Sequence, residues 1–175
     1  MKPYTVTGCI VTHNNMRSIK ETLDSLLRNT AGIPFKLYVV DNLSTDGTPD
    51  FIKANYPEVE LIINTENRGF GAGHNVVLGR LESKYHAVIN PDISVTEDVI
   101  SKIAAFLDEN EDIGLVSPRI CFPDGRDQIL GKRNPKLRYL VASRLRNDVK
   151  PGALLREYAM LDCDNTKPFD IEELL

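Results

Sequence analysis

The chain has 175 residues, 42% of them hydrophobic, which is enough for one globular domain with a sizeable core. A formal net charge of -4 and a pI near 5.4 argue against a general nucleic-acid binder, which needs a clustered positive surface to neutralise phosphates. The three cysteines, Cys9, Cys121 and Cys163, are odd in number and widely spaced, so neither a disulfide framework nor a zinc site is indicated.

Residues 5–12, TVTGCIVT, are rich in β-branched types and run into the polar HNN, which predicts a strand stopping at Thr12 or His13. Ile19, Leu23, Leu26 and Leu27 then fall at helical spacing, and the helix is expected to reach about Asn29 before Ala31-Gly32-Ile33-Pro34 breaks it. FKLYVVD at 35–41 predicts a second strand, NLSTDG a turn, and Thr48 with Pro49 the N-cap and first residue of a short helix. VELIIN at 59–64 is the third expected strand, NRGFGAG a glycine-rich loop opening a helix to about Leu81, and HAVIN at 86–90 the fourth strand. Thr96 is the expected cap of a helix carrying Ile100, Ile103, Ala104 and Leu107, and IGLVSP at 113–118 is the fifth expected strand. Beyond Pro118 the periodicity fades, with weak helical patterns around 137–146 and 153–160.

Strands alternating with helices imply β-α-β crossovers, hence an α/β fold with a mostly parallel sheet and helices on both faces. The charge is uneven: from Arg126 to Arg156 there are nine Lys or Arg and two acids, Asp127 and Asp148. Such a stretch fits either a solvated segment or a surface for anionic ligands or membrane headgroups. No signal-peptide core and no apolar run long enough for a bilayer is present, so the chain is expected to be cytoplasmic.

In an open parallel sheet, ligands bind outside the carboxyl ends of the strands, where loops and helix N-termini gather. The unusual polar residues of this sequence fall there: Thr12, His13 and Asn14 after strand one, Asp41 and Asn42 after strand two, Asn67 and Arg68 after strand three, Asn90 and Asp92 after strand four. Four consecutive strand ends of this kind imply a crevice for a polar, anionic ligand. Asp41 has acceptor geometry suited to an imide N–H such as that of uracil or thymine, and equally to an Asx-turn closing DNLSTDG. The glycines of GFGAGHN miss the dinucleotide fingerprint, because position 74 is His, and allow instead a close approach of backbone and Arg68 to a ligand. His74 is expected on the helix surface or supporting the site, not as a catalyst.

Pro91 fixes its own φ and pushes Asn90 towards extended geometry, so Asn90 and Asp92 leave the strand in a defined orientation. Taken by itself NPD reads as a strand-to-helix turn. Beside Asp41 and Arg68, Asp92 reads as one of the few protein ligands of a Mg²⁺ or Mn²⁺ whose remaining ligands are substrate phosphates and water.

In this order and spacing, CIVTHNNMRSIKETLDSLL, VVDNLSTDGT, NRGFGAGHN and INPDISV resemble the N-terminal half of family-two inverting glycosyltransferases of the GT-A fold, especially the rhamnosyltransferase-like branch. The resemblance covers roughly residues 5–120. It implies a nucleotide-sugar-binding half at 1–120, and at 121–175 a basic linker or the start of an acceptor-binding half, the whole being truncated. It further implies that Thr12 and Asp41 hold the nucleobase of a UDP- or dTDP-sugar, that Asn67 and Arg68 line the sugar-diphosphate side, and that NPD stands where the family has D-x-D. Asp92 then matches the metal ligand, while Asn90 replaces the first aspartate and can bond a ribose or sugar hydroxyl.

The expected chemistry is inverting transfer to a hydroxyl of a saccharide or lipid-linked acceptor in cell-surface polysaccharide synthesis, at the inner face of the membrane with peripheral contact. The family's general base follows a GFDE-like stretch that is absent here, and no residue is assigned to it; the chain is expected to bind donor and to transfer poorly. A compact complete transferase using Asp162 or Asp170 is the alternative within this class. Outside it stand a receiver-like or non-catalytic nucleotide-binding module, which would want an acidic pair where Thr12-His13-Asn14 lies, and a nucleotidyltransferase, which would want a glycine loop in THNNMRS.

Overall fold

The computed structural model describes residues 3–128, 136–139 and 153–160. Four strands, β1 (Tyr4–Thr12), β2 (Phe35–Asp41), β3 (Glu60–Ile63) and β4 (Ser83–Ile89), form one sheet in the order β3-β2-β1-β4, and every neighbouring pair is parallel. The helices are α1 (Ile19–Asn29), α2 (Thr48–Asn55), α3 (Gly69–Asn75), α4 (Val99–Glu109) and α5 (Ala153–Tyr158).

Side chains alternate across each strand, so the central strands feed two cores. Ile10, Leu37, Val39 and Ile89 meet Ile19, Leu23 and Leu26 of α1 and Ile52 of α2 on one face, with Ile100 of α4 packed against them. Cys9, Val11, Tyr38 and Val40 meet Val77, just beyond α3, on the other. Thus α1 and α2 cover one face and the α3 connection covers the opposite one. The chain reverses its direction of travel across the sheet at β1, which leaves a topological switch point between β1 and β4. Ligand crevices form at the carboxyl ends of strands at such points; here the connections that follow β1 and β4 both run along the α1 face, with Ile93, Val95 and Ile100 packed against that core.

The chain divides into two compact units, Met1–Val116 and Ser117–Leu175. In the second, residues Cys121 and Asp127 form an antiparallel bridge, Tyr139 stacks on Tyr158 with ring centroids 4.9 Å apart, and Glu157 accepts hydrogen bonds from Arg138 and Tyr139. α5 falls within the expected 153–160 pattern. Most of the 137–146 pattern, much of the basic stretch, Cys163 and the acids Asp162, Asp164, Asp170, Glu172 and Glu173 lie outside the described residues.

Four expectations need correction. Residues 113–118 form no strand, and Leu115 is 71% exposed: an apolar run becomes a strand only where a sheet edge accepts its ladder. The helix after the glycine loop stops at Asn75 and gives way to a short 3-10 turn at Leu78–Arg80, as the low helix propensity of Val76, Val77 and Gly79 allows. α4 is capped by Asp98, whose carboxylate accepts the Ser101 N–H at 3.0 Å, not by Thr96. α2 begins one residue earlier than expected. Gly47, at φ 88°, is its N-cap, and Asp46 takes both the N–H and the hydroxyl of Thr48.

Candidate nucleotide-sugar site

Because the sheet is parallel, Thr12 and Asp41 stand side by side as the last register pair of β1 and β2. Asn90 follows Ile89, the register partner of Ile10 on the other side of β1. Asp41 is completely buried. Its Oδ2 accepts the Ser44 N–H at 2.9 Å, so the Asx-turn is real, yet Oδ1 is buried with no donor among the described residues. A carboxylate oxygen left without a donor away from water costs about 1–3 kcal/mol or more, so Oδ1 is an acceptor whose demand no described residue meets. Thr12 is also buried, and its hydroxyl donates to Asn15 Oδ1 at 3.0 Å.

The loops after β1 and β2 are laced together. Asn14, in the left-handed region at φ 56°, accepts the Thr45 N–H at 2.8 Å, while its own N–H donates to Ser44 Oγ. His13 Nδ1–H donates to the Asn42 carbonyl at 2.8 Å, and the Met16 N–H donates to Asp46. Arg17 in the same loop is exposed and has no ion pair among the described residues, leaving a cation at the β1 end.

Asn42 connects this corner to the glycine loop. Its Nδ2 donates to the Gly69 carbonyl at 3.0 Å and its Oδ1 accepts from Asn64 at 2.7 Å, tying the ends of β2 and β3 to the start of α3. Gly73 has no side chain because it lies on β1: a Cβ there would stand 2.6 Å from a Val11 methyl. Asn67 and Arg68 are exposed and locally occupied, Asn67 Oδ1 by the Gly69 N–H and the Arg68 guanidinium by Glu66. Of the two places expected for His74, on the helix surface or supporting the site, its burial excludes the first. It is buried, edge-on to Phe70 with ring centroids 4.4 Å apart, and neither ring nitrogen has a hydrogen-bond partner among the described residues. Burial first, and the neighbouring His86 second, hold its pKa below the ordinary value.

Asn90 and Asp92 are exposed, and the Asp92 carboxylate makes no hydrogen bond or ion pair among the described residues. No cluster of three metal-ligating side chains occurs among the described residues either. An unengaged hard-oxygen ligand without a protein cage fits a magnesium- or manganese-type ion completed by substrate phosphates and water. Cys9 does not enter the chemistry: it is fully buried, and burial pushes its thiol up to about 12. A depression of about 440 Å³ at the opposite end of the sheet, lined by Tyr4, Phe35 and Lys36 among others, is structural, with Lys36 paired to Glu60 at 2.7 Å.

Reasoning along the sequence missed Asn64 as the partner of Asn42, and a polar edge on α1 formed by Ser18, Thr22, Ser25 and Asn29. The latter was detectable in principle as hydroxyl and amide residues spaced 4, 3 and 4 apart.

Known proteins share the sequence pattern and the fold of this chain. The succinoglycan biosynthesis protein ExoO of Rhizobium meliloti is 30% identical over 99 residues, 56% of this chain and 28% of that protein. The SPbeta prophage-derived glycosyltransferase SunS of Bacillus subtilis is 28% identical over 100 residues, 57% of this chain and 23% of its own. The chain therefore spans roughly a quarter of the length of these relatives. The crystal structure of S. aureus TarS 1-349 in complex with UDP superposes with a TM-score of 0.55 at 26% identity, covering 61% of this chain and 33% of that one. The complex of the same protein with UDP-GlcNAc gives 0.53 at 26% identity, with 61% and 32% covered. The parallel sheet is thereby of the GT-A type. The family model described as Glycosyl transferase family 2 matches residues 8–160, and the chain belongs to that family.

Proposed function

We propose that this protein is an inverting transferase of the rhamnosyltransferase-like branch, passing a sugar from a UDP- or dTDP-sugar to a hydroxyl of a saccharide or lipid-linked acceptor in polysaccharide synthesis. The observation that carries the reading is the buried Asp41 carboxylate with one oxygen unpartnered at the end of β2. Uracil and thymine present one imide N–H, which is the donor this acceptor lacks. Thr12, its register partner, closes the base side, and Asn67 and Arg68 lie on the diphosphate side, with Arg68 exchanging Glu66 for phosphate. Asn90 bonds a sugar or ribose hydroxyl, and Asp92 supplies the protein ligand to Mg²⁺ or Mn²⁺. When bound, that ion supplies Lewis-acid neutralisation of the charge that develops on the leaving diphosphate. Inversion requires the acceptor oxygen to approach from the face opposite the nucleotide while a carboxylate removes its proton, and no described residue is assigned that role. Residues 1–120 form the donor half in this reading, and 121–175 lead towards the acceptor. The relatives' names and the UDP complexes of TarS support it.

The test is calorimetry with UDP, dTDP and GDP, with and without MnCl₂, followed by assay of sugar transfer. UDP or dTDP is expected to bind. Asp41→Ala is expected to weaken that binding about tenfold or more with or without metal, since a charged hydrogen bond is lost. Asp92→Ala is expected to remove only the Mn²⁺-dependent part. Absence of any nucleoside diphosphate binding would overturn the reading. Binding with poor or no transfer is the outcome expected of these 175 residues, and rapid transfer to a defined acceptor would show that they include the general base.

A further inference from the structure

The segment that carries Asp92 has no ladder of its own; its backbone is held from the side by α1. Ser18 Oγ donates to the Pro91 carbonyl at 3.0 Å. Thr22 Oγ1 lies 3.0 Å from that same carbonyl and 2.8 Å from the carbonyl of Ile93. Further along, the Val95 N–H donates to Ser25 Oγ at 3.2 Å, and Asn29 Nδ2 donates to the Val95 carbonyl at 2.9 Å. Each hydroxyl has one proton to give. Thr22 therefore serves Ile93 and Ser18 serves Pro91, so both acceptors are satisfied without sharing.

The contacts fall on alternate residues. Pro91, Ile93 and Val95 are half-buried against α1, while Asn90, Asp92, Ser94 and Thr96 are exposed. Thr22 itself is buried, and the helix that carries it is anchored in the core by Ile19, Leu23 and Leu26. The peptide entering Asp92 and the one leaving Ile93 are thus fixed to α1, and the residue between them is exposed, its carboxylate without a hydrogen bond or ion pair among the described residues. A ligand group held by its neighbours in this way loses little freedom when it binds.

We infer that Thr22, with Ser18 beside it, is the positioning residue for Asp92: the α1 hydroxyls set the direction in which the Asp92 carboxylate meets a divalent cation bound with the donor diphosphate. The inference rests on the reading of Asp92 as metal ligand given above. It assigns α1 a role in the site that its apolar periodicity does not reveal, since Thr22 is itself buried and its hydroxyl faces the Pro91 and Ile93 carbonyls.

The experiment compares Thr22→Val, which keeps the shape and removes the hydroxyl, with Thr22→Ser, which keeps the hydroxyl. Mn²⁺ affinity is measured by electron paramagnetic resonance in the presence of saturating UDP. UDP affinity without metal is measured by calorimetry, and amide hydrogen exchange is followed over residues 92–95. Thr22→Val is expected to weaken Mn²⁺ binding about three- to tenfold, the worth of one buried hydrogen bond, with metal-free UDP binding unchanged and exchange at 92–95 faster. Thr22→Ser is expected to restore both. A purely structural role for Thr22 would lower UDP and Mn²⁺ affinity together, and that outcome overturns the inference, as does unchanged Mn²⁺ affinity in Thr22→Val. Should that variant not fold, Ser18→Ala, at a half-buried position that makes no side-chain cap, carries the same comparison with an expected loss of about two- to threefold. If the wild-type protein binds UDP with no dependence on Mn²⁺, the metal reading of Asp92 fails and this inference with it. Metal dependence in the wild type that is insensitive to both α1 variants overturns this inference alone.

Discussion

His74 shows what burial does to a single titratable group. Its ring is shut from water with neither nitrogen partnered among the described residues, and burial depresses its pKa below the ordinary histidine value; His86, likewise depressed by burial, adds to the effect. A histidine whose folded pKa lies below its unfolded one stabilises the fold above the unfolded value, and that contribution is lost as pH falls from about 6.5 through the folded pKa. Asp24, Asp46 and Asp108 are also depressed, by hydrogen bonds from Lys20, Thr48 and Lys84 respectively, but their contributions disappear only at and below the ordinary carboxylate range. The interval from pH 6.5 to 5 therefore isolates the histidines. Urea unfolding is expected to show stability falling across that interval, with a shallower fall in His74→Leu. An identical slope in the variant would remove His74 from the account.

At the scale of elements, the seat of α3 on the sheet depends on Gly73. A Cβ there would lie 2.6 and 2.9 Å from the two Val11 methyls and 3.3 Å from Asn42 Nδ2, and Val11 is a central-strand residue with no space to retreat. Alanine gains up to about 1 kcal/mol of helix propensity over glycine, whereas overpacking a core costs about 1–3 kcal/mol. Gly73→Ala is accordingly expected to be destabilising by about 1–2 kcal/mol, since the overpacking outweighs the gain. It should also weaken UDP binding, because the displaced helix pulls Gly69 from Asn42. Adding Val11→Ala vacates the clashing methyls, so the double variant should lose less stability than the sum of the two single losses. Strict additivity in chemical denaturation would show that the contact is not what requires the glycine.

For the molecule as a whole, both cores and every strand-end group discussed lie within the first compact unit, Met1–Val116, while the basic stretch from Arg126 to Arg156 belongs entirely to the second. This separation leads to an expected division of labour. A fragment comprising residues 1–116 should fold cooperatively and bind UDP within about threefold of the complete chain, because it keeps Asp41 and its surroundings. Peripheral membrane contact, if it resides in the nine basic residues between Arg126 and Arg156, should be confined to the longer chain. Calorimetry with UDP and sedimentation with phosphatidylserine vesicles check the two halves of the statement. Loss of UDP binding by the fragment would place part of the donor site in the second unit, and vesicle binding by the fragment would relocate the membrane surface.

Much of the architecture was legible because it depends on local period and on residues that stop a period. FKLYVVD became β2 with the expected limits, and the polar residues after each strand fall on one edge of the sheet because parallel strands bring all carboxyl ends to the same side. The buried Asp41 could be suspected from its place at the end of an apolar strand, but the solitary state of its Oδ1 could not, since that depends on what every neighbouring loop offers. IGLVSP has the composition of a strand and no sheet edge that takes it up, and His74 sits in a polar-looking helix start yet is buried by packing against the sheet. The hydroxyls of α1 reach carbonyls 69 to 73 residues further along the chain. Sequence period determines which residues share a face; what that face meets is set by the strand order β3-β2-β1-β4, which folds β4 back beside β1 and lays the Asp92 segment on α1. That order is a property of long-range packing, and only the tertiary structure decided it.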